Sequence, residues 1–226
     1  MAQPAIPIKS YGQRLVRGLS TRQSDLMVNF LPTISLDGQT NWNNLISGYS
    51  GVALEIGFGT GNFILKNAAQ NPDVLHLGCE PYLNGVVSLL GRVEEQGIKN
   101  IRVFIDDVRM LFETMPLGIL NQIYVICSDP WPKKKHSKRR LLNHQFLDRA
   151  TDFLAKNGNI TIATDHQDYA QFILSNALRS GKLTVPSTNL DDYKQLPADW
   201  YYTKFQKKGL SKGHEIYYFN WGKKEY

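Results

Sequence analysis

Apolar and polar positions change rhythm near residue 50. Residues 1–50 are mostly polar, carry Lys9, Arg14, Arg17 and Arg22, and sustain no period. They read as a basic N-terminal arm with one short helix over 21–29. From residue 52, short apolar runs alternate with amphipathic stretches. "VALEI" (52–56) runs into glycine, as a strand buried on both faces does. Similar runs predict strands at 74–78, 101–105, 122–127 and 159–164, and late strands at "KLTV" (182–185) and "HEIYYFNW" (214–221). Helices are expected over 60–70, 81–97, 138–156 and 167–181. The second opens at Pro81 and closes at Gly97, with Leu83, Val86, Val87, Leu90 and Val93 on one face. The third is expected to stop at Asn157-Gly158. Strands alternating with helices mean an α/β domain over 51–226, built on a parallel sheet with helices on both faces.

In such sheets ligands bind beyond the carboxyl ends of the strands, so the residues there carry the candidate chemistry. The first strand ends in "LEIGFGTGNF", where Gly57, Gly59 and Gly61 let backbone approach a ligand closely. The dinucleotide pattern G-x-G-x-x-G needs its third glycine at 62, which is Asn. Glu55 suits a ligand with an ammonium group and suits a pyrophosphate badly. Glu80 follows the second strand, where an acid can accept from both ribose hydroxyls, whether of NAD or of S-adenosylmethionine. Asp106-Asp107 follow the third strand, and one of them can accept from an adenine amino group. Asp129 follows the fourth strand and Asp165 the fifth. Acids at five neighbouring strand ends repel one another unless a cation or several donors lie among them. S-adenosylmethionine, with a sulfonium and an ammonium, supplies both.

The chain has 226 residues and a net charge of +6, which points to an anionic partner. The charge is concentrated. "SDPWPKKKHSKRR" places Asp129 directly before six Lys and Arg within eight residues. Lys133 stands next to the turn, and Lys134, Lys135, Lys138, Arg139 and Arg140 are candidate phosphate contacts. Pro130 and Pro132 stiffen the turn, while Trp131 is placed either to stack on a base or to cap the core. A second cluster, Lys204, Lys207, Lys208 and Lys212, interleaves with Tyr201, Tyr202 and Phe205, a mixture suited to folded RNA. Cys79 and Cys127 read as small buried hydrophobes in a reducing compartment. No Cys-x-x-Cys spacing suggests zinc, and no apolar run approaches the roughly 18 residues of a membrane span. No signal-peptide core opens the chain, so a cytoplasmic protein is expected.

The stretches "YGQRLVRGLSTRQ", "LEIGFGTGNF", "SDPWPKKKHSKRRLLNHQFLD", "ATDHQDYA" and "YTKFQKKG" together resemble the bacterial tRNA (guanine-N7-)-methyltransferase family. The resemblance implies a Rossmann-like seven-stranded S-adenosylmethionine-dependent methyltransferase fold over 51–226. It implies S-adenosylmethionine as donor with S-adenosylhomocysteine as product and no metal, and a variable-loop guanine of tRNA (position 46) as acceptor. By it, Glu55, Glu80, Asp107 and Asp129 hold the donor beside the glycines, and Asp129 is the catalytic residue. Lys133, Asp165 and the segment Thr203, Lys204, Phe205 and Gln206 fall on the RNA side. The partner is tRNA alone, bound by a monomer or homodimer with no obligate protein partner. The family's last segment reads Thr-x-x-Glu, whereas this chain ends it in Gln206.

That chemistry asks little of a base. Guanine N7 has a lone pair and no proton, so methylation is an in-line displacement in which positive charge passes from sulfur to the purine. A carboxylate beside the base favours that shift. Two other readings are a nicotinamide-dependent oxidoreductase and a non-catalytic RNA-binding protein. The glycine spacing and the rim of acids weigh against the first, and the intact donor-site acids and Asp129 against the second.

Overall fold

The structure, a computed structural model, describes residues 18–197, 200, 206, 209–211 and 213–224. The expectations at Thr203, Lys204 and Phe205, and at the neighbouring lysines 207, 208 and 212, fall outside these. A helical run opens the described chain: α1 (Thr21–Asp25), a π turn (Leu26–Phe30) and α2 (Leu31–Ile34). Ser20 caps it by accepting from Gln23 N, and the Gln23 side chain answers to Ser20 N. The helical run therefore extends past the expected 29, and a further helix, α3 (Trp42–Ile46), was not anticipated. Leu26, Leu31 and Ile34 join one apolar cluster with Val86, Leu90 and Val103, and Leu36 N donates to Val103 O (2.7 Å).

The elements that follow are β1 (Gly51–Ile56), α4 (Asn62–Gln70), β2 (Val74–Cys79), α5 (Leu83–Gln96), β3 (Ile101–Phe104), α6 (Val108–Leu111), β4 (Leu120–Ile126), α7 (His144–Phe153), β5 (Leu154–Thr164), α8 (Gln167–Ser180) and β6 (Tyr217–Gly222). They form one sheet in the order β3-β2-β1-β4-β5-β6, parallel except for β6, which runs antiparallel to β5. The order reverses at β1, so the first two connections go one way and the next two the other. A crevice opens at that switch point.

Alternation along the strands divides the core. Val52, Leu54 and Ile56 face α6, α7 and α8, joined by Trp42 of α3, while the other side carries α4, α5, the π turn and α2. On α5 the buried stripe is Val86, Val87, Leu89, Leu90 and Val93, with Leu83 only half-buried.

The structure departs from expectation in three further places. The described residues form six strands, not seven. The 182–185 stretch makes only a bridge, Leu183 to Lys223, and Pro186, which has no N–H to donate, follows it. The helix expected over 138–156 is interrupted: Lys134–Arg139 is a 3₁₀ turn, and α7 begins after Asn143, whose side chain accepts from Phe146 N (3.0 Å). Finally, Asn157-Gly158 lie inside β5 instead of ending a helix. The register jumps there, from Leu120 opposite Leu154 to Gln122 opposite Asn159. A Cβ at Gly158 would sit 2.6 Å from Leu120 O, so the bulge requires glycine.

Candidate functional site

A cleft of 390 Å³ opens at the carboxyl ends of β1, β2, β3 and β4. It is within the usual size of a small-molecule site. Gly57, Gly59, Glu80, Asp107 and Asp129 all line it. Gly57 has positive φ (74°) with nothing within 4 Å of a notional Cβ, so its bare backbone faces open space. Gly59 is held from below, because its N–H donates to Glu80 Oε2 (2.7 Å). Glu80 Oε1 accepts from Tyr82 N (3.0 Å). Each Glu80 oxygen keeps a second lone pair. Burial pushes the Glu80 carboxyl up, against those two backbone bonds.

Asp107 caps α6 by accepting from Arg109 N (2.9 Å), and its carboxylate also accepts from Arg109 Nε (2.8 Å) and a terminal guanidinium nitrogen (2.7 Å). Burial opposes its ionisation, but the Arg109 bonds outweigh it and hold Asp107 below the usual carboxylate range. Arg109 lines the cleft as well and was not foreseen. Its signal was present two residues after Asp107, at the first turn of a helix too short to show periodicity. Asp129 is exposed at the rim, and the cleft walls remove enough water to raise its pKa. Its turn is flanked by two non-glycine residues at positive φ, Cys127 (53°) and Trp131 (42°). Trp131 lines the cleft, with the Arg139 guanidinium 4.8 Å over its ring.

The remaining candidates lie elsewhere. Glu55 points to the α4 side of the sheet, opposite Tyr124 on β4, and is 4% exposed. Burial, only partly offset by the Ile64 N–H, pushes it up to about 8, so it is largely protonated at neutral pH. One of its oxygens, Oε2, is buried without a hydrogen-bond partner. Gly61 caps α4 at φ 75°, and a Cβ there would meet Leu89 at 2.7 Å. It packs against α5 and is not among the residues lining the cleft. Lys133, Lys134, Lys135 and Lys138 are exposed. Arg140 is not. It is 7% exposed and bonded to Pro130 O and Asp168.

Asp165 lies against the turn at Gly209, where a Cβ would come within 2.5 Å of its carboxylate, and His214 Nδ1 is 3.4 Å away. Gln206 is fully buried and accepts from Trp200 Nε1 (3.3 Å). Trp200 in turn joins Phe63 (5.2 Å) and Tyr218 (5.3 Å) in an aromatic cluster beside Tyr124. Burial pushes Cys127 up to about 12 and Cys79 well above its ordinary value, so both remain thiols. Among the described residues no group of three or more His, Cys, Asp or Glu could hold a metal ion.

Residues 50–219 match the family described as "Putative methyltransferase". The chain is 32% identical over 213 residues to a protein of Zymomonas mobilis named tRNA (guanine-N(7)-)-methyltransferase, covering 93% of this chain and 92% of the relative. A protein of the same name from Hyphomonas neptunium is 35% identical over 206 residues, covering 90% and 94%. Among solved structures, the 16S rRNA methyltransferase KamB aligns with a TM-score of 0.59 at 13% identity, over 83% of this chain and 94% of that one. An rRNA adenine methyltransferase of Catenulisporales acidiphilia, solved with its cosubstrate SAM, aligns at 0.56 and 15% identity, over 84% and 92%. These two likenesses concern the fold.

Proposed function

The chain belongs to the tRNA (guanine-N7-)-methyltransferase family, and we propose that its acceptor is the variable-loop guanine at position 46, with Asp129 at the reacting base. The enzyme transfers a methyl group from S-adenosylmethionine to N7 of guanine in tRNA. The observation that carries the reading is the position of Asp129. It lines the donor cleft and also opens the segment whose lysines reach solvent.

The cleft fits the donor by its own chemistry. Gly57 presents bare backbone, Glu80 has lone pairs left for ribose hydroxyls, and Asp106 and Asp107 mark the end suited to an amino-bearing base. The donor supplies an electrophilic methyl on a cationic sulfur. The guanine N7 lone pair attacks it in line, the new N–C bond forms as the C–S bond breaks, and the sulfur keeps that electron pair. Charge then rests on the purine. Asp129 stabilises it electrostatically and can accept from guanine N1–H and the exocyclic amino group. No proton leaves N7, so neither a general base nor a metal-activated water is required. Lys133, Lys134, Lys135 and Lys138 hold phosphates around the base, and Asp165 and residues 203–206 belong to the RNA side, 203–205 lying outside the described residues. The enzyme works as a cytoplasmic monomer or homodimer; no described helix is long and apolar enough to cross a membrane. Label transfer from S-adenosylmethionine into tRNA transcripts tests the acceptor. Replacing guanine 46 by adenine should abolish incorporation, and full incorporation into that transcript would place the methyl elsewhere.

A further inference from the structure

We propose that Arg140 is a positioning residue for Asp129: from behind the 128–131 turn it locks the backbone that presents the carboxylate to the cleft, and it binds no phosphate. The inference rests on the reading of Asp129 as the group at the reacting base. The turn needs a lock. Cys127 and Trp131 hold left-handed backbone without being glycine, and such residues persist only where their surroundings over-determine them.

Two ties converge on the residues between. Arg140 Nε donates to Pro130 O (2.8 Å), the carbonyl of the residue that directly follows Asp129. Ser128 Oγ and Tyr169 Oη are 3.2 Å apart, on the side that precedes it. Both ties are anchored on α8. A terminal nitrogen of Arg140 pairs with Asp168, and its guanidinium lies over the rings of Tyr169 (5.4 Å) and Phe172 (4.9 Å). Tyr169 is fully buried and Arg140 nearly so. The planar fork suits this arrangement, since one edge can bond a carbonyl and a carboxylate while its faces pack on aromatic rings. Arg139 points the other way, over Trp131 at the cleft. Two adjacent arginines of one cationic block thus have opposite tasks, which charge pattern alone does not distinguish.

The test compares Arg140→Lys, Tyr169→Phe and Asp129→Asn, with Arg140→Lys also combined with Asp129→Asn, in the full chain. It measures single-turnover methyl transfer at saturating donor and tRNA, together with the salt dependence of tRNA binding. Arg140→Lys should lower the transfer rate about tenfold or more, since small misplacements of a catalytic group are costly, and leave the salt slope unchanged. Tyr169→Phe should lower the rate in the same direction. Adding Arg140→Lys to Asp129→Asn should cause little further loss, because the brace acts through a carboxylate already removed. A salt slope reduced by roughly 0.7–0.9 with the rate intact would make Arg140 a phosphate ligand and overturn the inference. Additive losses would also overturn it. If Arg140→Lys does not fold, Tyr169→Phe decides, and an unchanged rate there counts against the brace. An Asp129→Asn enzyme with full activity would instead remove the reading of Asp129, independently of what Arg140 does.

Discussion

Glu80 faces the donor cleft while accepting hydrogen bonds from Gly59 N and Tyr82 N, so its loss acts twice. Glu80→Ala removes the proposed acceptor for ribose and frees the glycine turn. Calorimetry should show S-adenosylhomocysteine bound about 1.5–3 kcal/mol more weakly, the scale of hydrogen bonds to a charged group. Asp129→Asn keeps the shape of the turn and removes the charge, so it should lower kcat far more than it weakens tRNA binding, and steady-state kinetics separate the two. Glu80, Asp107 and Asp129 were legible because each directly follows or closely trails an apolar run, and the fold brings the ends of parallel strands together. Glu55 was a harder case. It belongs to the first strand itself, and period-two alternation turns its side chain away from the side that Ile56 and Cys79 share. Nor could sequence alone show that Arg140 is buried, because a cation spent on a carbonyl and a carboxylate reads the same as one in solvent.

At the scale of elements, the 3₁₀ turn Lys134–Arg139, which overlaps only the start of the helix expected over 138–156, keeps Lys134, Lys135 and Lys138 exposed. Replacing these three by Gln should weaken all tRNAs alike and lower the salt slope of binding by roughly 0.7–0.9 for each phosphate no longer neutralised. Filter binding across a salt series measures it. The glycine turn is braced by α5 at a distance. Arg92 Nε donates to Ser88 O (3.1 Å), and its terminal nitrogens reach the Asn62 side chain and the Thr60 carbonyl. Beside it, a Cβ at Gly85 would come within 2.2 Å of Gly59 O. Arg92→Leu should therefore weaken S-adenosylhomocysteine binding by about 1–3 kcal/mol, the cost of leaving polar groups unpaired, with an unaltered salt slope for tRNA. The strands and α5 were readable because their periodicity is sustained. The β5 bulge was not, since Asn-Gly signals a tight turn whether it ends a helix or bows a strand.

For the whole molecule, the buried Glu55 links stability to pH. Its pKa is about 8 in the fold against 4.5 ordinarily, so between those values the folded chain holds a proton that the unfolded chain releases. Stability from this group is present at acid pH and is lost as pH rises toward 8. His76, lowered to about 4 by burial, works in the opposite sense, since the unfolded chain takes up its proton below the ordinary value near 6.5. The difference between parent and Glu55→Gln isolates the carboxyl. In urea titrations from pH 5 to 8, the parent's stability relative to the variant should fall by at most about 1.4 kcal/mol per pH unit. A difference independent of pH would mean that Glu55 is ionised throughout. Sheet order could be anticipated only in part, because alternation implies parallel pairing yet does not say that β6 comes back antiparallel beside β5. That reversal has a consequence for synthesis on the ribosome. Every residue lining the donor cleft lies between Ile56 and Leu141, whereas the buried cluster of Trp200, Gln206 and Tyr218 is completed by β6, the last described strand to emerge. A nascent chain therefore has the parts of its cleft, and the exposed lysines beside it, well before it can close that cluster.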